Sequence, residues 1–167
     1  MALLVFAVIA VGPAGIALQG ISSPSPGSYT PSIGDSITYE TTYSDNPYRP
    51  STTVMTVEGV NHSIEWGKVF RVHENTTWLG GGWSDGHAEI SGSWEFSYNV
   101  LAFRYIGNEV IVAGWGPVNT THYRLANGVL DIDVWLVNGV VIKQIFAGPA
   151  GSFIEKAVAT NLPFLLG

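Results

Sequence analysis

The chain has 167 residues and a net charge of −6, from 7 Lys and Arg against 13 Asp and Glu. That length suits one domain, and an acidic balance with no basic stripe excludes a nucleic-acid surface. The absence of cysteine excludes disulfides, thiolate metal centres and cysteine nucleophiles; a charged fraction of only 12% beside 20 glycines, 6 Trp, 7 Tyr and 7 Phe suits a surface partly covered by neighbours or sugar.

From Met1 to Gly34 there is no Lys, Arg, Asp, Glu or His; the first charged residue is Asp35. Residues 1–20 form a hydrophobic arm whose apolar side chains are Leu3, Leu4, Val5, Phe6, Val8, Ile9, Val11, Ile16 and Leu18. Residues 21–34 are a Ser/Pro/Gly linker, stiffened by Pro24, Pro26 and Pro31, since proline favours extended backbone. Three readings of the arm compete. A secretory signal peptide has the right length but lacks its positive n-region. A membrane anchor of this length reaches about 27 Å as a helix, barely a bilayer core. The third reading is an assembly helix buried against copies of itself. Gly12, Ala14, Gly15 and Ala17 permit close helix approach, and Pro13 would kink it. The third reading is preferred, because exposed apolar surface costs about 25 cal/mol per Å².

The body, residues 35–167, reads as consecutive strands. Ile37 to Tyr43 alternates, with Ile37, Tyr39, Thr41 and Tyr43 on one face. Asp45-Asn46-Pro47 breaks it. Thr52–Glu58 follows, then Ser63–His73 with Gly67 as a bulge. After the loop Leu79–Trp83 come Glu89–Tyr98, Leu101–Ile106, Glu109–Ala113, His122–Ala126 and Leu130–Val137. Asn127-Gly128 and Asn138-Gly139 are type I′ hairpin signals. The second sets a register with Leu136 facing Val141 and Trp135 facing Ile142, which would put Lys143 on the core face. Ser152–Thr160 is read as a strand, and the apolar end Asn161–Gly167 as packing on its own domain. Eight to ten strands without a helical period predict an all-β fold, an antiparallel sandwich or a strongly curved sheet, preceded by the arm.

Three Asn-x-Ser/Thr sequons place glycan acceptors at Asn61, Asn75 and Asn119. His62 and His122 lie at sequons, which favours exposed loops. Asp85, His87 and Glu89 share one strand face and are weak candidates for a divalent ion; a solvated strand edge is the preferred reading. Asp131 and Asp133 share a face and are read as solvated too. Trp66, Trp94 and Trp135 suit the core; Trp78, Trp83 and Trp115 flank glycines and suit exposure. No nucleophile elbow, metalloprotease motif or phosphate loop occurs, so no catalytic residue is nominated, an enzyme is not expected, and no cofactor is implied.

The uncharged apolar Met1–Leu18, the Ser/Pro linker and the sequon-bearing β-rich body together resemble archaeal pilins of the type IV class. The resemblance implies an arm that builds a filament core and a β-domain outside it. Position 5 is Val rather than Glu, no Lys/Arg-Gly site precedes the run, and Pro13 interrupts it. A second arrangement is therefore an arm that serves as a donor strand in a neighbour's sheet. The expected function is that of an extracellular filament subunit suited to adhesion. Its partners are copies of itself, glycans, and a membrane before assembly. The alternative is an anchored or secreted β-domain that binds sugar or lipid.

Overall fold

The computed structural model describes residues 29–44, 50–63, 67–91, 103–149 and 151–166. The arm residues Leu3 to Leu18 lie outside them, as do Trp66 and Trp94. The fold is all-β. Nine strands run β1 (Ser36–Tyr43), β2 (Ser51–Ser63), β3 (Gly67–Trp78), β4 (Trp83–Ser91), β5 (Arg104–Ala113), β6 (Gly116–Ala126), β7 (Asp131–Val137), β8 (Val140–Gly148) and β9 (Gly151–Thr160). They form one open antiparallel sheet in the order β4-β3-β2-β1-β9-β8-β7-β6-β5.

Two meanders, β1 to β4 and β5 to β9, are joined where the first strand meets the last. Asn161 latches that seam: Ser36 N–H donates to its Oδ1 at 2.8 Å, and its Nδ2 donates to Gly34 O at 2.8 Å. Across the sheet, Gly114 N–H donates to Ala157 O at 3.2 Å, so the β5–β6 turn folds over β9, four strands away. One core results, shared by both meanders: Ile37, Tyr39, Val57, Phe70, Val72, Tyr123, Val134, Leu136 and Val141 are nearly inaccessible. The Tyr39 hydroxyl donates to Val141 O at 2.9 Å, which satisfies the one polar atom this ring brings into the core. Leu162 and Leu165 from the C-terminal end join the same core around the 3₁₀ turn Pro163–Leu165. The apolar end therefore packs on its own domain, with Phe164 against Tyr29 at 4.7 Å between ring centres.

Four irregularities of register redirect side chains, and each corrects or refines an expectation. At Asn138-Gly139 both residues have positive φ, 49° and 85°, as a type I′ turn requires. Val137 pairs with Val140 and Leu136 with Val141. A bulge at Ile142 then sets Trp135 opposite Lys143. The expected Trp135–Ile142 pair is therefore wrong by one residue: Lys143 moves off the core face and Gln144 moves onto it. In β2 the extra residue is Glu58, in β5 Ile106 and in β9 Val158. Gly67 is no bulge; it pairs with Ser63 where β3 begins. Leu101–Ile106 and Glu109–Ala113, read as two strands, belong to the single strand β5 over the described residues. Asn127-Gly128 is not a two-residue hairpin turn. Asn127 Oδ1 instead accepts from Val129 and Leu130 N–H at 3.0 and 2.8 Å, an Asx-type wrap of the longer loop. None of the helices among the described residues is long and apolar enough to cross a membrane.

Candidate functional site

Polar side chains gather at three places, and the sheet's two edges differ in character. The first place is on β2, β3 and β4. His73 and His87 are cross-strand partners, and their rings stack at 4.9 Å. Cross-strand neighbours on one face meet in this way. The Glu58 bulge aims its carboxylate at both: Oε2 lies 3.0 Å from His87 Nε2 and Oε1 lies 3.5 Å from His73 Nδ1. Asp85 accepts from His73 Nε2 at 2.6 Å, and that bond is the main reason its carboxyl is held below the usual range. Asp85, His87 and Glu89 do share a face, as strand alternation predicts, yet each turns to a different partner; Glu89 takes Asn61 Nδ2 at 3.4 Å. Among the described residues no three His, Asp or Glu converge as a metal site. His73 and Glu58 are the members that sequence reading passed over, because their approach depends on the bulge.

The second place is on β5, β6 and β7. His122 is buried, contrary to the exposed loop expected at its sequon. Its Nδ1 lies 2.8 Å from Glu109 Oε1 and its Nε2 lies 2.6 Å from Asp133 Oδ1. Ionised carboxylates only accept, so both bonds form together only with the imidazolium. The ring stacks on Trp135 at 4.2 Å, and Trp135 Nε1 donates to Glu109 Oε2 at 2.9 Å. Indole and imidazole together hold the Glu109 carboxyl below its ordinary range, the indole bond contributing more. Lys143 sits over the same indole, 4.5 Å from its centre. Arg124 pairs with Asp131 at 2.7 Å, so neither Asp131 nor Asp133 is simply solvated. Both His122 nitrogens are engaged by carboxylates. The cluster is a clamp that ties three strands.

The third place is on the core face, beyond Tyr39. Glu155 accepts from Gln144 Nε2 at 2.7 Å and from Thr41 Oγ1 at 3.1 Å. Its carboxyl is pushed up, chiefly by removal from water, with the charge of Glu74 adding to the rise. Glu74 is itself pushed up by burial. Among the described residues no cation pairs with Glu155. A raised carboxyl binds its proton more readily in the folded chain than in the unfolded one. Stability therefore falls as pH rises from the ordinary glutamate range through the raised value. Glu155→Gln is expected to raise stability at pH 7 by about 1 kcal/mol, the scale of an uncompensated desolvated group, and to flatten that slope. Urea unfolding at pH 4 and pH 7 checks it; equal loss of stability at both would show that the carboxylate is needed.

Asn61, Asn75 and Asn119 are all exposed, near strand ends on β2, β3 and β6. Trp135 is buried, on the face opposite Val134 and Leu136 and against His122, Trp83 is 73% exposed, and Trp115, expected to be exposed, packs against the core with its Nε1 buried and unpartnered among the described residues.

The edges remain. Strand β4 carries Asp85, His87 and Glu89, all exposed, and charge of this kind blocks pairing with another strand. Strand β5 pairs in the sheet with β6; it exposes Arg104 and Glu109, and its uncharged end Val110-Ile111-Val112-Ala113 leads into Gly114, whose N–H bonds to β9. Val110 and Val112 are 65% and 64% exposed, and Ile106 is exposed as well. The one acid nearby, Glu109, is held by His122 and Trp135. Sequence reading placed a strand here but no edge, since edge position is a property of topology. The chain matches no known family model, and no curated protein is similar to it in sequence.

Proposed function

We propose that this protein is a structural subunit of an extracellular filament, joined to copies of itself through its hydrophobic arm, with the β-domain outside and open to adhesion. The observation that supports the reading is the uncharged apolar run within residues 1–20, beside the exposed Val110 and Val112 side chains on β5. An open filament needs two different surfaces on each subunit, because a head-to-tail contact repeats without closing. The uncharged arm of residues 1–20 is one such surface, and the exposed apolar side chains Ile106, Val110 and Val112 of β5 are a second. Exposed Asn61, Asn75 and Asn119 suit glycan attachment on an outer domain.

Electron microscopy and size exclusion without detergent test this reading. The full chain is expected to give fibres or large oligomers, and the chain lacking residues 1–20 a monomer. A full chain that stays monomeric at high concentration would sink the proposal. Trp83, exposed beside the glycine turn, supports the second reading of a sugar-binding module; affinity retained by the arm-deleted monomer, and lost in Trp83→Ala, would favour it.

A further inference from the structure

We infer that the outer face of the sheet binds a linear, neutral polysaccharide laid across the strands along Trp83, Thr77, Thr52, Glu40 and Lys156. The inference rests on the reading of the β-domain as the adhesive part of the protein, and names the class of its partner. The five residues are cross-strand partners in one line. Trp83 on β4 pairs with Thr77 on β3, Thr77 with Thr52 on β2, Thr52 with Glu40 on β1, and Glu40 with Lys156 on β9. Their chain neighbours Thr41, Ser51 and Ala157 are buried, so strand alternation turns the line away from the core. At about 4.8 Å per strand the line is about 19 Å long, and the sugar repeat of an extended glycan is close to that strand spacing. The net charge of −6 disfavours an acidic chain.

Each position has the chemistry for one part of a sugar. Trp83 is 73% exposed, and it opens strand β4, so pairing with Thr77 fixes its backbone as a loop would not. The indole offers a broad apolar surface, which suits the C–H face of a pyranose ring. The hydroxyls of Thr77 and Thr52, the Glu40 carboxylate and the Lys156 ammonium supply donors and acceptors for the hydroxyls of the units that follow. Among the described residues, none of these four side chains is held in a hydrogen bond or ion pair. The neighbouring lines on β3 and β4 differ. Asp85 takes Asn75 Nδ2 at 3.4 Å and His73 Nε2 at 2.6 Å. His73 and His87 stack and share Glu58. Those polar groups are engaged with one another, whereas the groups beside Trp83 are left for a ligand. A small molecule needs a concave pocket; a polymer that touches each residue in turn does not.

Calorimetric titration of the full chain with hexasaccharides of β-linked glucose, mannose and N-acetylglucosamine tests the inference. At least one is expected to bind, and about tenfold more tightly than its disaccharide, which reaches only Trp83 and Thr77. Trp83→Ala and Glu40→Ala should each weaken that binding about tenfold, although Glu40 lies about 14 Å from Trp83 along the line. Thr42→Val is the control, exposed on the same face of β1 but off the line; it should change affinity by less than about twofold. Trp83, Glu40 and Thr42 are all exposed, so the substitutions leave the core untouched. No binding by any of the hexasaccharides overturns the inference. So does binding that Glu40→Ala leaves unchanged, which would put the sugar on Trp83 alone. Fibres are read separately by microscopy. Fibres without sugar binding would leave the filament standing and remove this site. Binding without fibres would keep the site and remove the filament.

Discussion

Gly114→Ala is expected to destabilise the domain by about 3 kcal/mol, the upper part of the range for forcing atoms into a packed site. A Cβ built at Gly114 would lie 1.8 Å from Val158 O, 2.4 Å from its carbonyl carbon and 2.5 Å from its Cα. All three are backbone atoms of β9 at its bulge, and unlike the tip of a flexible side chain they cannot rotate away. The β5–β6 turn must instead lift off β9. It would then lose the bond from Gly114 N–H to Ala157 O and uncover Ala113, which is 3% exposed. For a domain of this size the thermal midpoint should fall by roughly 10 °C. Gly86→Ala is the control: its added carbon would meet nothing within 4 Å, and its midpoint should stay within about 2 °C. A Gly114→Ala midpoint equal to that of the control would mean that the turn does not rest on β9 in solution.

His122→Ala is the second large effect, again about 3 kcal/mol, at the low end for breaking a buried ion pair because Glu109 keeps contact with solvent. The substitution strands the Asp133 carboxylate, whose remaining cationic neighbour, Arg124 Nε, is 3.9 Å away. It also empties the space against Trp135. His122→Phe separates the two contributions, since it keeps a ring on the indole but offers no donor; it should recover only the packing part. The pH dependence has a definite sign. Glu109 is depressed, so its contribution is complete above the ordinary glutamate range and is lost as pH falls through its lowered value. The gap between wild type and His122→Ala should therefore narrow in acid. Chemical unfolding at pH 3 and pH 7 reads this directly, and a gap that widens in acid would rule out the clamp.

Local rules carried the sequence reading where one strand and one turn were enough. Ile37 to Tyr43 alternates because its two faces meet different surroundings, and β1 is that strand. Asn138-Gly139 needs positive φ at two adjacent residues, which few other pairs tolerate, so both turn and register were legible up to Leu136–Val141. They stopped being legible at the Ile142 bulge. An extra residue leaves no mark in the hydrophobic pattern when Val140, Val141 and Ile142 are all apolar, and Lys143 was misplaced as a result. Asp85, His87 and Glu89 were grouped on one face correctly. Their partners Glu58 and His73 were not, because Glu58 reaches them only through a bulge on another strand.

The sequence by itself determined the composition of the parts: an uncharged arm, a proline spacer and an all-β body of short antiparallel strands. These follow from side-chain periodicity and turn chemistry, which act over a few residues. Only the tertiary structure decided the order of the strands, and with it which strand stands at an edge. It also decided that His122 lies buried between Glu109 and Asp133, and that Gly114 meets the backbone of Val158. Those outcomes depend on contacts between residues far apart in the chain, where loop closure and register set which side chains meet, and no local pattern records them.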